Sequence, residues 1–295
     1  MNEDVGDERS EGEGGATYQR VRGELLNRLL DGTYALDSRL PSQRELSEQF
    51  DVSRDTVQKV LRELAGEGWI SSRQGSGTRV IKVLKSQAPI SSAGGRRVTL
   101  GELMDDAFKQ PEVTLDVFTL SSESLAFQIR RQDEQIRLGE RPELQRIALR
   151  MLLPVADLQH PPYPTAVDDV DKPAVWERHL VTMRSSTTSI KQKLHDLRVA
   201  KLVPSVSLEI RYVRFPPLLK LYLVNGSAML SAPYVSVKRP IYLEGHDDPV
   251  DAIDVLGVGA PLTYDVKDHD PQSQASEKVD NWRMWFESAW DFLTE

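Results

Sequence analysis

The sequence predicts an α/β chain with two folded parts, and two patterns support this prediction. Within the first 85 residues, apolar positions recur at helical spacing, and two short strand-like runs follow around a glycine-rich turn. After residue 98, β-branched apolar runs alternate with amphipathic segments, which indicates a layered α/β domain. A chain of 295 residues has room for two domains of ordinary size.

Composition excludes several classes of protein. The chain contains no cysteine, which excludes disulfides, thiolate metal sites and cysteine nucleophiles. It has no apolar run of about 18 residues, and its N-terminus is acidic rather than a basic signal peptide. We therefore expect a soluble cytoplasmic protein with no membrane partner, no metal and no cofactor.

The charge is distributed unevenly along the chain. Of the net charge of −8, residues 1–15 hold six acidic residues and one arginine, a net −5. Residues 16–85 hold twelve Lys and Arg against nine acidic residues, a net +3, which leaves −6 for residues 86–295. Because binding to a polyanion follows local charge, the acidic total does not exclude nucleic acid as a partner of the basic segment.

Local signals predict three helices in the basic segment. An apolar stripe that begins near Thr17 predicts the first, Ser42 and Glu45 form a capping box for the second, and Ser53 is a favourable N-cap for the third. The predicted buried positions of the three helices are Val21, Leu25, Leu26, Leu29, Leu30, Leu46, Phe50, Val57, Val60, Leu61 and Leu64.

A hairpin follows the third helix. Short strands are predicted near residues 69–72 and 78–81, joined by Gln74-Gly75-Ser76-Gly77, where glycines allow the positive φ of a tight turn. The polar face of the third helix shows Arg54, Asp55, Gln58, Lys59 and Arg62. A helix-turn-helix followed by a hairpin, here called the wing, predicts a winged helix-turn-helix.

These segments resemble the N-terminal domain of the GntR family of bacterial transcription regulators. The resemblance covers residues 17 to about 82 and is carried by Leu40–Leu46, Val52–Val57, Leu61–Leu64, Glu67–Ile70 and Gly75–Thr78. It implies a winged-helix DNA-binding domain over residues 16–84 of a transcription regulator, most simply a repressor, that lies at the bacterial nucleoid when bound to DNA. A winged helix used only for protein contacts is the alternative.

The resemblance also implies the DNA contacts. The implied contact residues are Arg44, Ser53, Arg54, Thr56, Gln58, Lys59, Arg73, Gln74 and Gly75. Arg44 would contact a phosphate or a guanine edge, and the start of the third helix would bind phosphate through its free N–H groups and dipole. Gln58 and Lys59 would face the major groove, and the wing tip would approach the minor groove.

Two positions depart from the family pattern. Position 58 often carries arginine in the family and is Gln58 here, and Asp55 adds a negative charge close to the DNA. Asp55 is interpreted as a solvated charge or a partner of Arg54 or Lys59, with hydrogen bonding to a cytosine amino group as the alternative. Both departures leave the operator sequence undefined.

The rest of the chain predicts a separate domain. Residues 1–15 are expected to be a disordered acidic tail and residues 85–98 a linker, which leaves an α/β effector or dimerisation domain over 99–295. Its predicted elements are helices at 99–109, from 122 and at 172–200, strands at 113–120, 147–153 and 206–213, a hairpin at 218–231 that turns at Asn225-Gly226, a strand at 234–238, and a C-terminal helix. The aromatic stripe of that last helix favours core or dimer interface.

One stretch of this domain resembles the active-site strand of phospholipase D-like proteins. Their signature is His-x-Lys followed by an Asp, and Lys220 and Asn225 occupy the Lys and Asp positions, whereas Leu218 stands at the His position. Leucine cannot act as the nucleophile, so a phospholipase D-like half would be catalytically inactive here. Lys220 and Asn225 remain a possible remnant of a ligand site.

The resulting prediction is a non-enzymatic regulator that dimerises on an inverted-repeat operator and responds to an unknown small-molecule effector or protein partner. One alternative is the sugar-sensing, chorismate-lyase-like effector domain of a GntR subfamily. Another is a phosphodiesterase fused to the DNA-binding module. An aminotransferase fusion is disfavoured by the length of the chain, and a DNA-organising protein without effector control is a further alternative.

Overall fold

The computed structural model describes residues 17–18, 20–26, 28–29, 34, 38–66, 69–73, 77–80, 98–241, 243, 249–255 and 262–295. The chain divides into two compact units. The first contains the described residues up to Val80 together with Ala166–Asp171 and Lys238–Ala252, and the second contains the remainder. The predicted tail and, apart from Val98, the predicted linker lie outside the described residues, so these domain boundaries stay predictions.

The N-terminal part of the first unit contains the predicted winged helix-turn-helix. Its elements are α1, with helical residues at 17–18, 20–26 and 28–29, then α2 (Gln43–Phe50), α3 (Arg54–Gly66), β1 (Ile70–Arg73) and β2 (Gly77–Val80). The predicted capping box of α2 is present, since the Ser42 hydroxyl accepts from the Glu45 N–H at 3.3 Å and the Glu45 carboxylate accepts from the Ser42 N–H at 2.7 Å. Asp51, with φ of 52°, ends α2 in the left-handed region and begins the turn to α3.

One apolar core and one buried ion pair hold these helices together. The buried side chains include Leu25, Leu46, Phe50, Val60 and Leu64, as the helical spacing predicts. Arg22 on α1 donates to the Glu63 carboxylate on α3 at 2.7 Å, and Tyr18 also donates to it. The strands β1 and β2 pair antiparallel, and a bridge between Arg39 and Arg79 adds the segment before α2 to the same hairpin.

The second unit is a mixed sheet between two layers of helices. Its strands are β3 (Glu112–Phe118), β4 (Arg146–Pro154), β6 (Ser205–Val213), β7 (Leu219–Val224), β8 (Ala228–Pro233) and β11 (Thr263–Val266). The strand order in this sheet is β11-β8-β7-β3-β4-β6. β3, β4 and β6 run parallel to one another, and β7, β8 and β11 continue the sheet with antiparallel pairing.

Alternating side chains bury both faces of this sheet. One face packs under three helices, α4 (Leu100–Ala107), α5 (Glu123–Arg137) and α6 (Lys172–Val199). The other face packs against α7 (Gln274–Phe292) through the C-terminal aromatic residues, with Phe286 and Trp290 buried. The aromatic stripe of α7 therefore lies in the core of this layer, which is one of the two roles predicted for it.

A short second sheet contains residues that the pattern did not predict as strands. It has the order β5-β10-β9, formed by β5 (Thr165–Ala166), β10 (Val250–Val255) and β9 (Ser236–Ile241). A short 3-10 helix, Asp169–Asp171, precedes α6. None of the helices that the structure describes has both the length and the apolar character required to cross a bilayer.

The prediction of a winged helix joined to an α/β region is confirmed, because the N-terminal elements and the mixed sheet are both present. The finer assignment of the C-terminal domain as phospholipase D-like is not established by this topology.

Candidate nucleic-acid interface

The start of α3 is capped by its own side chains. The Ser53 hydroxyl accepts from the Thr56 N–H at 3.1 Å and lies 2.9 Å from the Thr56 hydroxyl. One of the helix's first N–H groups is therefore satisfied internally, while the positive end of the helix dipole still faces outward. Ser53 and Thr56 therefore stabilise the first turn of α3, and the positive end of the helix dipole can still attract a phosphate.

The predicted contact side chains of α3 lie on its exposed face. Arg54, Gln58 and Lys59 are exposed, while Val57 and Val60 on the opposite face are fully buried. This division follows from the helical period, because apolar positions three and four residues apart turn toward the core. The exposed face thus presents two cations and one amide that can contact phosphates and base edges.

Asp55 forms an ion pair on this face. The Lys59 ammonium lies 3.2 Å from the Asp55 carboxylate one turn away, and both side chains are more than half exposed. Such exposed pairs contribute little free energy, so Lys59 can exchange this partner for a phosphate at small cost. The interpretation of Asp55 as a partner of Lys59 agrees with this geometry.

Arg44 is a weakly held cation at the beginning of α2. Its side chain is 67% exposed, and its Nε lies 3.8 Å from the Glu48 carboxylate at a spacing of one helical turn. At this distance and exposure the pair does not fix the guanidinium in one position. Arg44 is exposed, and its predicted contact with a phosphate or a guanine edge stays a prediction.

The wing contacts fall mostly outside the described residues. Gln74, Gly75 and the side chain of Arg73 are not among them, so these three predicted contacts stay predictions. The described part of the hairpin runs to Arg73 opposite Gly77, which has a φ of +76°. That conformation is the one the glycine at this position was predicted to provide.

Two further arginines at the base of the wing were missed by sequence reasoning. Arg39 and Arg79 are both exposed and lie opposite each other in an antiparallel bridge, flanked by hydrogen bonds from Leu40 N–H to Thr78 C=O at 2.9 Å and from Val80 N–H to Ser38 C=O at 3.0 Å. Both arginines therefore present their side chains at the surface beside the wing, where arginines commonly contact the phosphates of a bound nucleic acid. The only signal in the sequence is the arginine just before Leu40-Pro41, which says nothing about pairing with the wing.

The second candidate site, around Lys220 in the C-terminal unit, contains a buried cation rather than exposed ones. Lys220 is only 7% exposed, and its ammonium lies 5.4 Å from the ring centroid of Tyr234. Burial lowers the pKa of Lys220 to about 8, although the Glu123 carboxylate acts in the opposite direction. Tyr234 is itself fixed, because its hydroxyl accepts from the Leu120 N–H at 2.9 Å.

Asn225 has a structural role at the other end of β7. Its side-chain oxygen accepts from the Thr114 N–H at 2.8 Å, and its own N–H donates to the Thr114 carbonyl at 2.9 Å. Five residues of strand separate it from Lys220, about 16 Å at the usual rise. The two residues predicted as a ligand-site remnant therefore do not lie together. Within the described part of the chain, no group of three or more His, Asp and Glu side chains is arranged to hold a metal ion.

Comparison with known proteins supports the assignment of the N-terminal segment. Residues 17–80 match the family described as "Bacterial regulatory proteins, gntR family". The Arabinose metabolism transcriptional repressor of Geobacillus stearothermophilus is 40% identical over 63 residues, which cover 21% of this chain and 17% of that protein. The HTH-type transcriptional regulator TreR of Bacillus subtilis (strain 168) is 32% identical over 101 residues, 34% of this chain and 41% of TreR.

A solved structure is also similar to part of this chain. The crystal structure of AraR(DBD) in complex with operator ORX1 is 36% identical and covers 22% of this chain and 77% of that chain, with a TM-score of 0.21. The chain spans about a sixth of the length of the arabinose repressor and about two fifths of TreR. Residues 17–80 are a GntR-type DNA-binding domain.

Proposed function

We propose that this protein is a sequence-specific DNA-binding transcription regulator that acts as a repressor. The observation that carries the proposal is the gntR-family match over residues 17–80, which contains an α3 with exposed Arg54, Gln58 and Lys59. One relative is named as an arabinose metabolism transcriptional repressor and another as the HTH-type transcriptional repressor NagR, and we extend only the repressor role to this chain.

In this proposal, Arg54, Gln58 and Lys59 contact the major groove, and Arg44, Ser53 and Thr56 contact phosphates around the helix ends. The wing, including Arg73, Gln74 and Gly75, approaches the minor groove. We add Arg39 and Arg79 as phosphate contacts at the base of the wing, because both are exposed cations on neighbouring strands of the hairpin.

The C-terminal unit would supply dimerisation and effector response. One winged helix reads only a half-site, so two copies on an inverted repeat gain both affinity and symmetry. An effector shifts such a dimer only by binding its DNA-competent and incompetent states differently. We propose that the region around Lys220 and Tyr234 takes part in this response, since a buried cation with a lowered pKa gains from an anionic group placed beside it.

We keep the inactive phospholipase D-like half as the proposed fold relationship of this unit. It rests on the residue pattern around Lys220, and the lack of a histidine at Leu218 favours the absence of the corresponding enzyme activity. Hydrolysis of a generic phosphodiester by the purified protein, lost in Lys220→Ala, would favour the fused phosphodiesterase instead. A sugar that releases the protein from its operator would favour the sugar-sensing alternative.

Selection of DNA fragments with the purified full-length chain tests the proposal. We expect enrichment of a small set of fragments that share an inverted repeat, and release of the strongest fragment by at least one metabolite in a screen. Enrichment of many weak sites without a common sequence would instead indicate a DNA-organising protein. Failure to bind any duplex at low salt would refute the regulator itself.

A further inference from the structure

The outer edge of β6 carries unpaired backbone groups. On the inner side, Ser205 N–H donates to Gln145 C=O at 3.1 Å and the Val213 C=O accepts from Val155 N–H at 3.0 Å, so the odd-numbered residues of β6 face β4. Backbone groups alternate in direction along a strand, and the even-numbered residues therefore face away from the sheet. β6 is the last strand in the sheet order.

This edge is open over three residues and closed at both ends. At one end, the Tyr212 C=O already accepts from the Glu295 N–H at 3.0 Å. At the other, Pro204 precedes the strand and has no N–H to offer. Between them, the outward backbone groups of Val206, Leu208 and Ile210 have no hydrogen-bond partner among the residues that the structure describes.

A groove with a mixed apolar and charged lining runs beside the open edge. It lies between β6 and the C-terminal half of α6 and has a volume of about 470 Å³. Its charged lining includes Lys191, Arg198 and Glu209, and its apolar lining includes Leu194 and the three outward residues of β6. The side chains of Val206, Leu208 and Ile210 are half-buried rather than buried. A free strand edge with half-buried apolar side chains beside it is the geometry to which another strand is added.

We propose that a second copy of this chain fills this groove with its own β6, antiparallel, with the two-fold axis at Leu208. In this register Leu208 lies opposite Leu208 of the second copy, and Val206 lies opposite Ile210 in both directions. All three outward residues of each copy then gain backbone partners. The interface rests on the proposed dimeric regulator and names the surface through which it dimerises.

Neighbouring registers are less favourable for identifiable reasons. Moving the axis to Glu209 places its carboxylate directly opposite the Glu209 carboxylate of the second copy, and like charges at such positions repel. Moving it to Ile210 requires the incoming strand to pass Tyr212, where Glu295 already occupies the edge. With the axis at Leu208, the ladder covers Val206 to Ile210 of each copy, and each chain turns away at Pro204, because Glu295 already occupies the edge at Tyr212 of the other copy.

Charge is compatible with this register. The Glu295 carboxylate keeps its own partner, because it is paired with Arg214 of the same chain. Glu209 is likewise paired with its own Arg211 at 2.7 Å and lies opposite Ser207 of the second copy, so the register places no like charges directly opposite each other on the two strands.

Single cysteines test the register, because the chain contains none of its own. Opposed residues of a hydrogen-bonded antiparallel pair have Cα atoms about 5.5 Å apart, within disulfide reach. We expect oxidised Leu208→Cys to run mainly as a cross-linked dimer. The matched control Ser207→Cys places its two Cα atoms about 8 Å apart, beyond that reach, and is expected to stay mainly uncross-linked. A mixture of Val206→Cys and Ile210→Cys chains should cross-link to each other.

A second pair of variants tests the interface without oxidation. Leu208→Lys places two like charges on the axis, and we expect at least a tenfold weaker dimer by light scattering, with circular dichroism unchanged. Ser207→Lys adds the same charge opposite Glu209 of the other copy and should leave the dimer intact. Equal cross-linking of the Leu208 and Ser207 cysteines, or a monomeric wild-type chain that binds an acidic strand peptide in the groove, would overturn the proposal.

Cross-linking and DNA binding, measured together, distinguish failure of the β6 interface from failure of the proposed function. A wild-type chain that binds an inverted repeat as a dimer, but whose Leu208→Cys variant does not cross-link, would overturn the β6 interface while the proposed function stands. Cross-linking at Leu208 together with a lack of binding to any duplex would support the interface and refute the regulator.

Discussion

Cationic side chains serve different purposes in the two units of this protein. In the winged helix, Arg44 and Lys59 are more than half exposed and have only single partners on their own helices. In the α/β unit, Arg150 on β4 is held by two carboxylates, those of Asp116 and Glu287, and lies over the rings of Phe286 and Trp290. The first set is available to a polyanion, whereas the second is fully engaged within the protein.

The contrast shows that charge counts alone do not locate a nucleic-acid interface. The α/β unit contains arginine clusters, such as Arg131 and Arg141 around Asp105, but these guanidinium groups are already held inside the fold by Asp105 and, for Arg141, also by Gln132. These arginines hold the pKa of Asp105 below its usual value against the opposing effect of burial. Local balance and exposure, rather than the number of arginines, distinguish a binding surface from a structural network.

Removal of Arg150 is expected to have the largest effect on stability. The guanidinium donates to Asp116 at 2.6 and 2.8 Å and to Glu287 at 2.7 and 2.9 Å, and these carboxylates raise its pKa above the usual value. Arg150→Met leaves two carboxylates without their cation, which should lower the free energy of unfolding by about 3 kcal/mol.

Urea unfolding followed by tryptophan fluorescence measures this loss. The control is Arg184→Met, which removes an exposed arginine paired only with Glu177 and should change the free energy of unfolding by about 0.5 kcal/mol or less. Similar losses in both variants would contradict the distinction between engaged and available cations.

Lys220 offers the next largest effect, with the opposite sign. Its pKa is lowered by burial from the usual 10.5 to about 8, so the folded state disfavours the charged form. The unfolded chain binds more protons between these two values, and stability therefore rises with pH across that window. Lys220→Met removes this buried ammonium. We expect the free energy of unfolding to rise by up to about 3 kcal/mol at pH 7, and this gain to fall to roughly half by pH 9.5.

Thermal or urea unfolding at the two pH values tests this prediction. Lys238→Met is the matched control, because Lys238 is exposed and pairs with Asp251 on the surface. A variant at Lys220 that is less stable than wild type at pH 7 would mean that the ammonium is a net stabilising partner of Glu123.

Local signals in the sequence predicted much of this structure because they act within a few residues. The capping box at Ser42 and the hairpin turn at Asn225-Gly226, with φ of 50° and 61°, depend only on neighbouring backbone. The exposed polar face of α3 followed from one helical period, and its predicted DNA contacts rest on a family resemblance.

Features that depend on distant parts of the chain were not predicted. β10 and β11 were missed although Val250–Val255 alternates in burial, because short runs do not reveal their partners. The pairing of Arg39 with Arg79 joins residues forty positions apart. The burial of Lys220 results from packing against Tyr234, which no local pattern encodes.

Substitution of Arg54 tests whether the exposed cations of the winged helix bind DNA. Arg54→Ala should weaken operator binding by about 1–3 kcal/mol, or roughly 5- to 150-fold, because an exposed arginine at the start of a recognition helix contacts the DNA and little else. Electrophoretic mobility shift with the selected operator measures the change. Arg184→Ala serves as the control for loss of one positive charge in the other unit, and equal weakening by both variants would contradict the placement of the interface on α3.

The smallest expected effect concerns Asp55, whose carboxylate pairs with Lys59 on the same exposed face. Asp55→Asn removes a negative charge near the DNA and releases Lys59, so binding should tighten by about 0.5–1 kcal/mol at low salt, and the gain should shrink as salt screens the charges. Asn also lacks the charge that makes a carboxylate a good acceptor for a cytosine amino group. If Asp55 reads a cytosine, the same variant will instead bind the operator more weakly and lose its preference at one base pair. Titrations of the operator and of single-base variants at two salt concentrations distinguish the two roles, because a general charge effect applies to all sequences alike, whereas base recognition does not.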